Sequence, residues 1–191
     1  MTERIEKDML GEKSLPVEAY YGIHTARAKE NFKLASRSVE HVLVSALAMV
    51  KKACCQANVE LKFLTPEAAV AIEQACDEIT EGRFEYEFAV DALQGGAGTS
   101  LNMNINEVIA NRAAQLAGKP IGSRDVLHPN DDINMGQSSN DTFPAAMHIA
   151  AALEIHAKLI PALKKLHAVL DKHAKNWDDA VKIGRTHLMD A

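Results

Sequence analysis

Apolar residues recur between residues 38 and 61 at the spacing that places them on one face of a helix. They follow one another at steps of three and one, and they are Val39, Val42, Leu43, Ala46, Leu47, Val50, Ala53, Cys54 and Ala57. Side chains spaced in this way form a continuous stripe on an α-helix, and the stripe packs against a core. The pattern therefore predicts an amphipathic helix from about Ser38 to Leu61.

Two further predicted helices are bounded by residues that are typical of helix ends. Thr65 is suited to cap the first of them, Pro66 to occupy its first turn and Gly82 to end it. The buried face of this helix is predicted to carry Ile72, Cys76 and Ile79. The second helix is predicted from about Leu101 to Ala117, and Gly118 closes it.

The longest helical pattern extends from Asp141 to about Asn176. Pro161 interrupts it, and we expect a kink near Ile160 or two abutting helices, because proline removes a backbone hydrogen bond and clashes with the preceding turn. Residues 121–136 are rich in Asp, Asn, Gly and Pro, and they predict a loop at a domain boundary. No alternating strand pattern stands out, so the predicted fold class is mainly α.

The composition is that of a globular protein, with 47% hydrophobic and 25% charged residues. The net charge of −5 disfavours nucleic acid as a partner, because a surface of this sign repels phosphate. Residues 1–8 are too charged for a signal peptide, and no run of about 20 apolar residues predicts a membrane span. We therefore expect a cytoplasmic protein without a membrane partner, whose three cysteines are reduced thiols.

Residues 94–100 form a glycine-rich loop in front of a predicted helix. Glycines let backbone N–H groups approach a ligand, and the hydroxyls of Thr99 and Ser100 stand where the helix dipole favours an anion. The loop lacks the lysine of a nucleotide P-loop. It is a candidate cradle for a carboxylate, and the alternative is a helix cap with no further role.

A second polar segment, residues 137–144, precedes the longest helix. One capping residue is enough to start a helix, so Ser138, Ser139 and Asn140 together exceed the structural need and indicate ligand binding. Just upstream, residues 128–132 contribute a histidine and further polar groups. The alternative for that stretch is an ordinary turn with an exposed His128.

A third segment, residues 182–190, contains Thr186 and His187, followed by Asp190. A histidine near a carboxylate can act as a general acid or base, or it can donate a hydrogen bond to an anion. The alternative is a structural histidine. The remaining histidines form no pair spaced for metal binding, so no metal site is expected.

Together these segments resemble the aspartase/fumarase superfamily of helical lyases. The matching stretches occur in order along the chain, and they are residues 20–28, 94–108, 128–134, 137–144 and 184–191. Residues 20–28 and the glycine loop are most similar to aspartate ammonia-lyases. Residues 128–131, 138–141 and 147–150 are more similar to class II fumarases. The loop contacts substrate in the family, so we give it the greater weight and favour an aspartate ammonia-lyase.

The resemblance implies an N-terminal helical lyase domain over residues 1–136 and the first part of a central helical bundle over residues 137–191. It also implies a homotetramer that acts on a small dicarboxylate without a metal or an organic cofactor. In this reaction a proton leaves the carbon next to one carboxylate, giving an aci-carboxylate dianion, and ammonia then departs to leave fumarate.

By the same resemblance, seven side chains are expected to hold the two carboxylates. They are Thr99, Ser100, Ser138, Ser139, Asn140, Thr186 and His187. His187 is the candidate catalytic residue, and Arg27 is expected at the edge of the site. A second anion site is expected at His128, Asn130 and Asp131.

The family's general base is a serine on a Gly-Ser-Ser-x-Met-Pro-x-Lys-x-Asn loop, and the 191 residues contain no such segment. We therefore expect this chain to be inactive by itself and to be the N-terminal portion of a longer enzyme. A competing hypothesis is that the chain is a complete, non-catalytic helical binding or scaffold protein.

Overall fold

The computed structural model describes residues 3–95 and 98–188, and it is mainly helical, as predicted. Two strands and six α-helices follow one another as β1 (Glu3–Asp8), β2 (Gly11–Pro16), α1 (Ile23–Asn31), α2 (His41–Glu60), α3 (Pro66–Thr80), α4 (Thr99–Leu116), α5 (Ser139–Glu154) and α6 (Ile160–Asn176). Three short helical turns are Glu85–Glu87, Pro129–Ile133 and Ile155–Leu159. The chain forms two compact units, Met1–Ala151 and Ala152–Ala191.

Helices α2, α3 and α4 form the core of the first unit. The predicted buried face of α3 is confirmed, since Ile72, Cys76 and Ile79 are at most 2% exposed. The predicted cap is confirmed as well, because Thr65 Oγ1 accepts the backbone N–H of Ala68 at 3.3 Å. Burying each large aliphatic side chain in this way stabilises the fold by about 1.5–3 kcal/mol.

The cysteines lie on these core helices. Cys54, Cys55 and Cys76 are free thiols, and Cys55 and Cys76 are buried. Burial raises the pKa of the Cys55 thiol to about 11. Cys55 and Cys76 thus serve as small core residues.

The central helix α4 buries polar as well as apolar side chains. Its fully buried polar residues are Asn104, Asn106, Glu107 and Asn111. Two of these amides satisfy backbone carbonyls of the loops that surround the helix. Asn104 Nδ2 donates to Glu87 O at 3.0 Å, and Asn111 Nδ2 donates to Tyr20 O at 2.7 Å. Helix α4 therefore holds the loops as well as the core.

The structure also contains two strands that no alternating pattern in the sequence indicates, because β1 and β2 form an antiparallel hairpin. Apolar alternation does not reveal β1, since Ile5 is 70% exposed while the neighbouring Glu6 is buried. The Glu6 carboxylate accepts hydrogen bonds from Arg4 Nε at 2.9 Å and from Arg124 Nη2 at 3.0 Å. The inward face of this strand is thus charged and paired, and hydrophobic periodicity cannot detect it.

Helix α1 was also not predicted, and its start depends on a distant carboxylate. Glu107 accepts the backbone N–H groups of Gly22, His24 and Thr25 at 2.8–3.1 Å. It also accepts the hydroxyl of Thr25 at 2.6 Å. A Cβ on Gly22 would lie 2.6 Å from Glu107 Oε1, so only glycine fits there. The N-cap of α1 therefore comes from α4 rather than from its own sequence.

The predicted break near Ile160 is confirmed. The helical turn Ile155–Leu159 separates α5 from α6, and Pro161 lies in the first turn of α6. Because Pro161 has no N–H to donate, the regular helical ladder cannot continue through this point. In the second unit none of the described residues, 152–188, is buried. The domain boundary expected at residue 136 stays a prediction.

Two helical stretches within the described residues are long and apolar enough to cross a membrane by length and composition alone, namely His41–Glu60 and Ser139–Asn176. The first is a core helix of the first unit, with Val44, Ala46 and Leu47 at most 1% exposed. Core helices of globular proteins pass the same test, so it gives little support for a membrane span.

Candidate functional site

Two helices of the first unit begin next to each other and present hydroxyl groups there. Thr99 starts α4 and Ser139 starts α5, and their hydroxyl oxygens are 3.4 Å apart. Unpaired N–H groups and the positive end of the dipole make each helix start favourable for an anion. Thr99 and Ser139, one residue from each of the two polar segments predicted from the sequence, thus meet in the structure.

The hydroxyls of the second segment have different roles. Ser138 Oγ accepts the N–H of Asn140 at 3.3 Å, and its carbonyl accepts the N–H groups of Asp141 and Thr142 at 3.0 Å. Ser138 therefore performs the capping that the helix needs. Asn140 is exposed and Ser139 is half-buried, so both are accessible to a ligand.

The glycine loop is shaped by close contacts on both sides. Gly98 has a φ of +77°, and a Cβ there would lie 2.2 Å from the ring of Phe143 on α5. Only glycine allows this approach between the starts of α4 and α5. The side chain of Gln94 accepts the N–H of Leu101 and so caps α4. Gly96 and Ala97 of the predicted cradle lie outside the described residues.

A buried lysine lies behind these helix starts. Lys51 on α2 is 1% exposed, and its ammonium donates to Asn134 Oδ1 at 2.9 Å and to Gln137 Oε1 at 2.7 Å. Burial lowers the pKa of Lys51 to about 8. Lys51 was not predicted from the sequence. The available signal was its spacing, because Lys51 follows Val44 and Leu47 at seven and four residues and therefore lies on the buried stripe of α2.

The segment proposed as a second anion site forms a compact turn. Asp131 donates its N–H to His128 Nδ1 at 3.2 Å, and His128 donates its own N–H to Asp132 Oδ2 at 2.6 Å. Asn130 Nδ2 donates to Asp131 Oδ1 at 3.2 Å. His128 thus caps the turn Pro129–Ile133, which is the ordinary structural role considered for it. Binding of an anion by His128, Asn130 and Asp131 stays a prediction.

A cavity of about 530 Å³ in the first unit has both Ser100 and His128 in its wall. Arg27 also lines it, with its guanidinium held by the Asp8 carboxylate through bonds of 2.7 and 2.8 Å. This hydrogen-bonded pair raises the pKa of Arg27 and lowers the pKa of Asp8. The guanidinium of Arg27 therefore forms an ion pair with Asp8 at the edge of the cavity.

Thr186 and His187 belong to the second unit, and both are exposed. Asp190 of the same segment lies outside the described residues. The assignment of Thr186 and His187 to the substrate site stays a prediction. Across residues 3–95 and 98–188, no group of three or more His, Cys, Asp or Glu side chains is arranged to hold a metal ion.

Comparison with known proteins gives consistent matches along the whole chain. A family model described as lyase matches residues 11–191. The chain is 47% identical over 191 residues to fumarate hydratase class II of Bacillus subtilis (strain 168), covering all of this chain and 41% of that protein. It is also 47% identical over 188 residues to aspartate ammonia-lyase of the same strain, covering 98% of this chain and 39% of that protein.

The solved structures agree with these matches. A crystal structure of fumarate lyase:delta crystallin from Brucella melitensis in native form has a TM-score of 0.94 and 47% sequence identity, and the match covers all of this chain and 44% of that one. The recombinant class II fumarase from Schistosoma mansoni has a TM-score of 0.93 and 39% identity. The chain spans about two fifths of the length of the relatives that it matches.

Proposed function

The chain belongs to the aspartase/fumarase superfamily of lyases, and from this membership we propose that the whole protein eliminates ammonia reversibly from L-aspartate to give fumarate. The observation that carries the proposal is the meeting of two helix starts, where the hydroxyls of Thr99 and Ser139 are 3.4 Å apart. A dicarboxylate has the charge that such a place favours.

The proposed chemistry requires donors that are in place before charge develops. Removal of a proton from the carbon next to one carboxylate converts that carboxylate into a dianion, and ammonia then leaves from the neighbouring carbon. Preorganised hydroxyl, amide and backbone N–H donors stabilise such developing charge most. In this scheme Thr99, Ser100, Ser138, Ser139 and Asn140 hold the substrate, and Ser138 also caps α5.

Thr186 and His187 complete the proposed substrate site. Their proposed role is to donate hydrogen bonds to a carboxylate, with His187 as the candidate catalytic acid or base. The homotetramer, the cytoplasmic location and the absence of a cofactor are parts of the same proposal.

A second candidate reaction is the hydration of fumarate to malate. The similarity of the chain to proteins named fumarate hydratase class II favours this reaction, and so does the similarity of residues 138–141 to that group. The glycine loop, residues 94–100, supports the aspartate reaction instead. Both reactions share the dicarboxylate and the dianion, and they differ in whether ammonia or water is the leaving group.

The test is the absorbance of fumarate formed by the full-length protein from L-aspartate and, separately, from L-malate. Activity on aspartate supports the first candidate, and activity on malate alone replaces it with the second. Turnover of neither substrate overturns the proposal and favours the non-catalytic helical binding or scaffold protein.

Matched threonine variants test the site itself. We expect T99V to lower kcat/KM by about tenfold or more, because it removes a donor to the substrate. The control is T65V, which removes the N-cap hydroxyl of α3 and should lower the stability of that helix without changing kcat/KM. An equal loss of activity in both variants would contradict a role for Thr99 in the site.

We also expect the 191-residue chain assayed alone to be inactive. The resemblance implies a serine base on a Gly-Ser-Ser loop, and the 191 residues do not supply that loop. Turnover by the purified chain at a rate near that of the full-length protein would contradict this expectation.

A further inference from the structure

Lys51 is a buried cation whose hydrogen-bond partners are neutral. Its side chain is 1% exposed, and within the described residues its ammonium donates to the amide oxygens of Asn134 and Gln137 and to no carboxylate. Placing a charge in the interior without a counter-charge is costly. Packing alone does not account for a lysine at this position.

The two partners of Lys51 are tied to the segment that starts α5. Gln137 Nε2 donates to Ile133 O at 2.8 Å, and Asn134 Nδ2 donates to Gln137 O at 3.2 Å. Gln137 is also the residue immediately before Ser138. The Lys51 ammonium therefore fixes both ends of a small loop whose next residues are the proposed substrate-binding ones.

The same network reaches the start of α4. Asn134 Oδ1, which accepts from Lys51, also accepts from Asn102 Nδ2 at 3.0 Å. Asn102 lies on the first turn of α4, which Thr99 begins. Lys51 is thus connected to both helix starts that meet at the site.

The cluster is not fully satisfied within the described residues, since Asn102 Oδ1 and Asn106 Oδ1 are buried without a hydrogen-bond partner there. A polar cluster of this kind destabilises a core relative to apolar packing. Costs of this type are typical of positions where function sets the residue.

We propose that Lys51 is a positioning residue for the dicarboxylate site, and that its ammonium, through Gln137 and Asn134, orients residues 138–140 against the start of α4. This inference rests on the proposed function. Lys51 does not touch the substrate in this scheme. It sets the affinity of the site by holding the donors in the geometry that the carboxylate requires.

The test compares K51M with K52M in the full-length protein. Both variants remove a lysine from α2, but Lys52 is partly exposed and pairs with Asp77 on α3 at 2.7 Å. We expect K51M to raise KM about tenfold and to lower kcat by a smaller factor, since the misplaced donors bind the carboxylates in the ground state and also stabilise the developing charge. K52M should leave both constants unchanged. A KM for K51M within about twofold of that for K52M would overturn the proposal.

A second variant, Q137M, keeps the test decisive if K51M does not fold. It removes the acceptor of the 2.7 Å bond and leaves Lys51 in place. The rise in KM should match that of K51M, and the double variant should be no worse than either single one, because all three break one connection. If the rises in KM of K51M and Q137M multiplied in the double variant, Lys51 and Gln137 would act independently, and the proposal that they act through one hydrogen bond would be contradicted.

Amide hydrogen exchange separates this inference from the proposed function. In the full-length protein, the N–H groups of Asp141 and Thr142 donate to Ser138 O at 3.0 Å, so they report the order of this helix start. K51M should speed their exchange and K52M should not. If the wild type turns over neither substrate, the proposed function fails, and unchanged exchange in K51M is then the result that overturns the positioning role.

Discussion

Helices α4 and α6 invert the usual relation between polarity and burial, and they do so in opposite directions. Helix α4, in the first unit, buries Asn104, Asn106 and Glu107 completely. Helix α6, in the second unit, leaves Leu163, Leu166 and Leu170 between 54% and 59% exposed. The Glu107 carboxylate and the amide nitrogens of Asn104 and Asn106 have hydrogen-bond partners inside the described chain, but the amide oxygens of Asn104 and Asn106 have none there. The apolar stripe of α6 is not buried in the described chain.

The difference shows that the buried polar residues of α4 and the exposed leucines of α6 affect different properties of the protein. Replacing a buried polar group of α4 removes partners that other segments of the first unit need, so the cost falls on folding. Replacing an exposed leucine of α6 removes little from the described structure, so its effect should fall on association with other surfaces. The predictions below test this contrast from the largest effect on unfolding free energy to the smallest.

The largest loss is expected for E107A. This change leaves the N–H groups of Gly22, His24 and Thr25 without their acceptor at the start of α1. Each buried donor left without an acceptor costs about 1–3 kcal/mol, so the three together should cost at least about 3 kcal/mol. Urea denaturation of the chain should show that loss, while E67A in the first turn of α3 serves as an exposed control with a small effect. A loss below about 1 kcal/mol would contradict the structural role of Glu107.

The next effect concerns Lys51 and pH. Burial lowers its pKa to about 8 from the ordinary value of 10.5, so between these values the unfolded chain binds more protons than the folded one. The contribution of Lys51 to the unfolding free energy is therefore least favourable below about pH 8, and it rises by about 3 kcal/mol as pH increases toward 10.5.

Subtracting the K51M profile gives the contribution of Lys51 together with its charge interactions with the Cys54 and Cys76 thiols. Burial also raises the pKa of Cys55, which acts in the opposite direction above pH 9, but that effect is common to both proteins and cancels in the difference. Urea titrations at a series of pH values should show wild type gaining stability relative to K51M as pH rises. A difference that does not change with pH would contradict a buried, depressed Lys51.

A smaller effect is expected for G98A. Both Gly98 and Gly118 have positive φ, but an added Cβ meets the Phe143 ring at 2.2 Å at Gly98 and nothing within 4 Å at Gly118. G118A should therefore cost about 1 kcal/mol from backbone conformation alone, and G98A about 1–3 kcal/mol more from overpacking. Thermal denaturation measures both. Equal losses would show that the close approach of the starts of α4 and α5 is unimportant.

The smallest effect on unfolding is expected for L163S and L166S in α6. Both leucines are more than half exposed, so each change should alter the unfolding free energy of the chain by no more than about 0.5 kcal/mol. We expect the same changes to reduce self-association of the chain in light scattering, because they interrupt the exposed apolar stripe. K164S is the matched control on the same helix, and it should leave association unchanged. A chain that is a clean monomer before substitution would contradict the expectation.

Periodicity and end signals were sufficient to predict α2, α3, α4 and the long helical stretch with its break at Pro161. These features depend on residues close together in sequence, which is where pattern analysis is informative. The hairpin and α1 were not predicted, because Glu6 and Glu107 act as buried acceptors for groups that are far away in sequence. A local sequence pattern does not show that a carboxylate accepts hydrogen bonds from residues so distant in sequence.

The candidate site shows the same division. Thr99 was predicted from the glycine loop in front of a helix start, and Ser139 from a surplus of polar groups at another helix start; the structure brings their hydroxyls together. Lys51 was not predicted, because its partners Asn134 and Gln137 lie 83 and 86 residues away in sequence. A charged residue at a position of the apolar stripe of a predicted helix is a usable signal for such residues, although it does not identify their hydrogen-bond partners.

The cap of α1 by Glu107 has a consequence for synthesis of the chain. The groups at Gly22, His24 and Thr25 precede their acceptor by 82–85 residues. At translation rates of about 5–20 residues per second, these N–H groups leave the ribosome roughly 4–17 s before Glu107 does. During that interval the N–H groups of Gly22, His24 and Thr25 lack their acceptor, although Ile23 already has the Glu6 carboxylate, so α1 acquires its complete native end after Glu107 has been made. Ribosome-stalled chains ending before and after Glu107 would reveal this order as a change in protease sensitivity near Gly22.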